Sequence, residues 1–146
     1  MNRVRHRTIA GFTLLELVIA LAIVSVLAAI AYPAFKQRVV NGRRADGSTA
    51  LLDLANRMEQ YYANNKTFAT ATIAGGTSTD VLSSSASNQG YYTLSITAQA
   101  KDTYTIKATR TGQQTNDTQC GDFTLTSAGV KAIVNNASGF TVARCW

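Results

Sequence analysis

Proline and histidine each occur once in this chain of 146 residues, cysteine occurs twice, and Asp and Glu together number only 8. The one histidine, His6, lies in the first eight residues. Serine is abundant, but no histidine base stands elsewhere in the chain to build a serine triad. The acids are scattered: Asp80, Asp102, Asp117 and Asp122 form no EF-hand loop, and no glycine-rich phosphate motif accompanies them. Asp117 and Asp122 are the only acidic pair worth weighing for an acid-only calcium site. The expectation is no catalysis, no cofactor and no metal. Three Asn-x-Ser/Thr triplets, at Asn65, Asn116 and Asn136, are near chance in a chain this rich in Ser and Thr, and no glycosylation is assigned.

Charge excludes little. The formal net charge is +6, but Arg3, Arg5 and Arg7 supply three of the 14 Lys and Arg at the extreme N-terminus. Without them the balance is mildly basic, too weak to argue nucleic-acid binding by itself. Both cysteines, Cys120 and Cys145, fall near the C-terminus. Beside a membrane-length segment they point to one disulfide in an oxidising compartment, with two free buried thiols as the alternative. A loop of that length is worth roughly 3–4 kcal/mol in the chain-entropy account.

The long apolar run is the strongest feature. Residues 17–35 carry no charge, and as a helix they span roughly 29 Å, about one hydrocarbon core. Basic residues flank both ends, so charge alone does not orient the span. The cysteine pair and the Thr-rich C-terminal part place the residues after about 36 outside the cytoplasm. A secretory signal cut before Tyr32, after the small-x-small triplet Ala29-Ile30-Ala31, is the alternative. The apolar stretch is long for that, and it contains an acid, Glu16, which costs about 2.5–3.5 kcal/mol at mid-helix and less near an end.

Cleavage between Gly11 and Phe12 would give Glu16 a reason to be there. Phe12 would then bear a new α-amine, and Glu16 would sit four residues on, within reach along one helix or from a neighbouring helix. The stretch "GFTLLELVIALAIVSVLAAIAYP" resembles the N-terminus of the type IV pilin family. That pattern has a short basic leader ending in Gly, then Phe-Thr-Leu, Glu at the fifth mature position, and Pro at the twenty-second. Gly11, Phe12, Glu16 and Pro33 match it. The resemblance implies cleavage after Gly11 by a prepilin peptidase, N-methylation of Phe12, and Glu16 as an assembly and register residue. Pro33 should kink or locally open the helix.

Beyond the membrane segment, Leu51, Leu54, Ala55, Met58, Tyr61 and Tyr62 share one face of an α-helix. One helix is expected from Phe12 to about Ala63, weakened by Gly42 and Gly47 at ~1 kcal/mol each. The charges of "NGRRADG" read as a solvated or subunit-facing surface. Asp46 and Asp53 are candidate partners for Arg38, Arg43 or Arg44 of a neighbour. Residues 70–90, small, polar and rich in Gly and Ser, read as a long surface loop. Alternation then sets Tyr92, Leu94, Ile96 and Ala98 on one strand face. Tyr104, Ile106 and Ala108 share a second, and Phe123 and Leu125 a third.

The fold class is therefore α+β. One long N-terminal helix, half membrane and half amphipathic, packs on an antiparallel sheet of about four strands, the type IV pilin fold. The organisation is a leader at 1–11, a transmembrane and filament-core half at 12–35, and an amphipathic half at 36–64. An αβ loop at 65–90 and the sheet at 91–146, with its disulfide-bounded loop, complete it. The tail, "CGDFTLTSAGVK" to "ARCW", resembles PilE-type minor pilins, with Trp146 as cover for the disulfide. The resemblance implies a structural pilus subunit, best read as a minor pilin, in the bacterial inner membrane and then in the extracellular pilus. Its partners would be other pilin subunits, the inner membrane, prepilin peptidase and the assembly machinery. A major pilin, a type II secretion pseudopilin and a DNA-receptor pilin are the alternatives. DNA becomes a partner only if Lys101, Lys107, Arg110, Lys131 and Arg144 converge on one surface.

Overall fold

The computed structural model describes residues 12–146, which divide into two compact units, the first ending at Gln37 and the second spanning Arg38–Trp146. Gly11 and the basic leader with His6 lie outside the described residues. A single helix, α1, runs Leu14–Asn65 and contributes to both units.

Helix α1 begins two residues after Phe12 because Thr13 caps it. The Glu16 N–H donates to Thr13 Oγ1 at 3.2 Å, and Thr13 with Glu16 three residues on has the spacing of a capping box. Pro33 lies inside the helix. At the far end Lys66 adopts φ 58° and its N–H donates to the Tyr62 carbonyl at 2.8 Å. This left-handed cap closes the helix two residues beyond the expected Ala63. In the first unit every described residue is exposed, from Phe12 through Phe35 to Gln37.

In the second unit α1 buries Arg44, Asp46, Gly47, Ala50, Leu51, Leu54 and Met58. They face a four-stranded antiparallel sheet in the order β3-β4-β5-β6, with β3 at Tyr92–Gln99, β4 at Tyr104–Arg110, β5 at Asp122–Thr126 and β6 at Lys131–Val134. Tyr92, Leu94, Tyr104, Ile106, Ala108, Phe123 and Leu125 supply its buried face. Ala98 departs from the expected alternation. The β3–β4 register shifts between Ile96 and Ala98, which leaves Ala98 exposed, as a bulge does.

Gly47 explains why a helix of this length tolerates a glycine. A Cβ there would stand 2.8 Å from the Tyr92 ring, so the aromatic ring occupies the space a side chain would need. Gly42 has open space around it.

The segment expected as a surface loop is more ordered than its composition implies. It forms two short parallel strands, β1 at Thr72–Ile73 and β2 at Asp80–Leu82, and sends Ala71 and Val81 into the core beside Phe68. Polar side chains do the ordering. Asp80 accepts hydrogen bonds from the Thr72 hydroxyl at 2.6 Å and from the N–H groups of Gly75 and Thr77, each at 3.1 Å. The Thr72 bond leads in holding the Asp80 carboxyl down to about 2.

A short helix, α2, at Val142–Cys145 ends the chain, tied by a disulfide from Cys145 to Cys120 with the two Cα atoms 5.5 Å apart. Trp146 packs its ring 5.4 Å from that of Phe123 and donates its indole N–H to the Ala132 carbonyl.

Candidate assembly site

The first unit presents an apolar surface that no other described residue buries. Its helix is apolar and long enough to cross a membrane, and none of its most apolar window is buried. Phe12, Leu14 and Leu15 are exposed at its start, and Glu16 is the one acid in its first turn. That position suits a carboxylate in two ways. The helix dipole is positive there, and the backbone N–H groups of the first turn lack helical partners. At the other end of this unit Lys36 sets its ammonium 5.1 Å from the centre of the Tyr32 ring.

The second unit is held by a polar clasp between side chains remote in sequence. Arg44 and Asp46, expected on a solvated or subunit-facing surface, are both buried. Arg44 Nε and Nη2 donate to the two oxygens of Asp117, each at 2.7 Å, and Nη2 also reaches Gln119 Oε1 at 3.0 Å. Burial pushes the Asp117 carboxyl up, but the Arg44 guanidinium outweighs it, and Asp117 ends below the usual carboxylate range. Asp46 accepts the Ser87 hydroxyl at 2.6 Å and the Gln89 N–H at 3.1 Å, pinning the end of the αβ segment to α1. Asp53 pairs with Arg57 of its own helix at 2.8 Å. The partners of Asp46 and Asp53 within the chain thus replace those expected from a neighbour. The signal was present: stepping back from Leu51 by helical intervals reaches Gly47 and then Arg44, on the same buried stripe.

The acids considered for calcium are already committed. Asp117 is held by Arg44, and Asp122 accepts Arg110 Nε at 2.9 Å and Lys107 Nζ at 3.1 Å. Burial again raises the Asp122 carboxyl, and the hydrogen bonds led by Arg110 bring it below the ordinary value. Among the described residues no group of three or more His, Cys, Asp or Glu side chains is placed to hold a metal ion.

The five cations considered for a basic surface separate into groups. Lys107 and Arg110 converge on Asp122, whose single charge offsets one of their two. Lys101 sits in the turn between β3 and β4. Lys131 and Arg144 are exposed in the disulfide-bounded tail, each over an aromatic ring. Lys131 Nζ lies 4.8 Å from the Trp146 ring centre, and the Arg144 guanidinium lies 4.9 Å from that of Phe140.

Comparisons with known proteins agree with this architecture. Residues 6–32 match the prokaryotic N-terminal methylation motif, and residues 33–124 match the family described as type IV minor pilin ComP, DNA uptake sequence receptor. Among solved structures, the non-core minor pilin PilV of Neisseria meningitidis shares the fold. It is 24% identical, with 70% of this chain and 97% of that chain covered and a TM-score of 0.50. A type IV pilin from Shewanella oneidensis is 25% identical over 73% of this chain and 97% of that chain, with a TM-score of 0.48. The apolar helix and the methylation motif mark an inner-membrane-anchored, pilus-associated protein. With the ComP match spanning more than half its length, the chain belongs to the type IV minor pilin ComP family.

Proposed function

We propose that this minor pilin is made as a prepilin and cut between Gly11 and Phe12 by prepilin peptidase. Phe12 is then N-methylated, and the chain is carried from the inner membrane into a filament by the assembly machinery. Residues 12–35 form the transmembrane and filament-core segment, and the second unit lies on the periplasmic side before assembly. The observation that carries this reading is the exposed apolar helix with a single acid in its capped first turn. Lipid and a bundle of such helices are about equally apolar, so burial alone gives assembly no direction. Glu16 supplies it. Its carboxylate is costly when unpaired in hydrocarbon, and a neighbour's Phe12 ammonium relieves that cost. Pro33 provides the point at which α1 adjusts on leaving the membrane.

Intact mass and N-terminal sequencing of protein from its native membrane test the reading. A chain that starts at Phe12 and is heavier by one methyl group is expected. A chain that starts at Tyr32 overturns it in favour of a secreted domain. Glu16→Ala should leave membrane insertion intact and reduce incorporation into the filament.

A second reading adds a ligand. The matching family is described as a DNA uptake sequence receptor, and Lys131 and Arg144 are exposed cations with no acid partner among the described residues. A cation beside an aromatic ring suits a nucleic-acid backbone and its bases. If this tail contacts duplex DNA, replacing Lys131 and Arg144 with Ala should weaken binding and flatten the salt dependence by about two phosphate contacts. An unchanged salt slope would remove the tail from the DNA surface.

A further inference from the structure

The four-stranded sheet ends in two edge strands, β3 and β6, and they are protected differently. At β6 the indole N–H of Trp146 donates to the Ala132 carbonyl, and Lys131 adds an exposed charge. A covering element and a lysine are ordinary guards against strand addition. At β3 the cover is confined to the two ends. The Leu94 N–H donates to the Ser85 carbonyl at 2.6 Å, and the Tyr92 carbonyl accepts the Ser87 N–H at 2.9 Å. At the other end the Lys101 carbonyl accepts the Phe68 N–H at 2.9 Å, and the Gln99 side-chain amide donates to the Ala69 carbonyl at 2.7 Å.

Between these covers the edge is open. Tyr92 and Leu94 turn main-chain groups away from β4, and by alternation Ile96 does the same. Among the described residues no backbone group bonds the Ile96 N–H or C=O, or the Leu94 carbonyl, from that side. A groove of about 570 Å³ runs along this stretch, with residues 94–99 as one bank and residues 71–73 as the other. The second bank has an open edge too. Thr72 and Ala74 donate their N–H groups to the Thr79 and Leu82 carbonyls, at 3.0 and 2.8 Å. Ile73, between them, therefore turns its own N–H and C=O away from β2. Gly75 and Ser85 complete the lining, and none of the lining residues is charged.

Unpaired donors and acceptors at strand spacing fit another extended main chain. The uncharged lining selects against charged side chains in that chain, because it offers nothing to offset their desolvation. The β3 bank gives room for about five extended residues at ~3.3 Å each.

We propose that the open edge of β3 at residues 94–96 binds an extended, uncharged segment of a partner protein by strand addition, with β1 as the opposite wall. The surface lies wholly in the second unit and goes beyond the assembly reading above.

The test uses the full chain in detergent micelles and, as probe, an acetylated and amidated hexapeptide of alternating Thr and Val. Solvent exchange of individual amides is followed by NMR. With peptide at about ten times its Kd, exchange at Ile96 should slow about tenfold. Ser95, whose N–H is turned to β4, should not change. The same peptide with every amide N-methylated should have no effect. Thr97→Lys with Ala98→Lys places two charges at exposed positions on the β3 bank. That variant should keep the wild-type melting temperature and lose the slowing at Ile96. No slowing at Ile96 up to the solubility limit of the peptide overturns the proposal, as does unchanged slowing in the lysine variant. Equal slowing by the N-methylated peptide overturns strand addition in favour of a side-chain groove. Slowing at Ile96 that grows with chain concentration, without peptide, makes a second copy the occupant and overturns the partner assignment.

Discussion

Arg44 on α1 grips both carboxylate oxygens of Asp117 at 2.7 Å, joining residues 73 apart in sequence, inside the protein. The pair is flanked by Asn41, which accepts from Arg44 Nη1 at 3.0 Å, and by Gln114, which donates to Asp117 Oδ2 at 3.1 Å. It sits three residues before Cys120, whose N–H also faces Asp117. One ion pair therefore holds the helix against the loop from which the disulfide starts.

Removing one partner strands the other. Asp117→Ala and Arg44→Ala should each cost about 3–5 kcal/mol, because a buried charge is left without its counter-ion. Replacing both with apolar residues of similar volume should cost less than the two single changes together. Denaturant unfolding of the detergent-solubilised chain, followed by tryptophan fluorescence of Trp146, measures all three.

Acid should loosen the second unit in a defined window. Asp80, Asp117 and Asp122 all have folded values below the ordinary carboxylate value. A depressed group contributes its stability fully above the unfolded value, about 3.9, and loses it as pH falls towards the folded value. The melting temperature should be flat from about pH 7 to 5 and fall below about pH 4. The loss attached to Asp80 should extend down to about 2. Replacing Asp117 and Asp122 with Asn should lower the starting stability and shrink the acid-dependent part of the fall.

The two glycines in the second unit's helix should answer oppositely to alanine. Gly47→Ala drives a Cβ to 2.8 Å from the Tyr92 ring and should destabilise by about 1–3 kcal/mol. Gly42→Ala meets open space and should be neutral or stabilising by up to ~1 kcal/mol. Paired thermal melts of the two variants decide it.

The disulfide closes the C-terminal part of the fold. Cys120→Ser with Cys145→Ser should cost about 2–5 kcal/mol and free α2 with Trp146 from the sheet. Faster hydrogen exchange across β6 and a red-shifted Trp146 emission are the expected readouts.

Much of this architecture was legible from residue patterns, and the gaps have physical causes. Leu51, Leu54 and Met58 repeat at helical intervals and are fully buried, because amphipathic spacing decides which face meets the sheet. Tyr104, Ile106 and Ala108 alternate and are buried for the equivalent reason. Arg44 and Asp46 were misread because charge normally marks a solvated face, and their partners Asp117 and Ser87 are remote in sequence. The two short strands within 70–90 leave no trace in apolar periodicity, because their order comes from hydroxyl and carboxylate hydrogen bonds around Asp80. Ala98 fell out of pattern at a bulge that a strict two-residue repeat cannot anticipate. Phe12 and Glu16 stand in a local motif that the sequence displays, whereas the Arg44–Asp117 clasp joins residues 73 apart and required the fold.

The contact of Gly47 with Tyr92 works as a key in a slot. A small rotation of this part of α1 would bring Gly47 away and press the flanking Asp46 or Ser48 side towards the ring. The contact thus favours one angular setting of this part of α1 against its sheet. Rotation about the helix axis is thereby opposed by a steric contact as well as by the apolar stripe, so the side chains that flank the stripe are set by the ring of a single tyrosine.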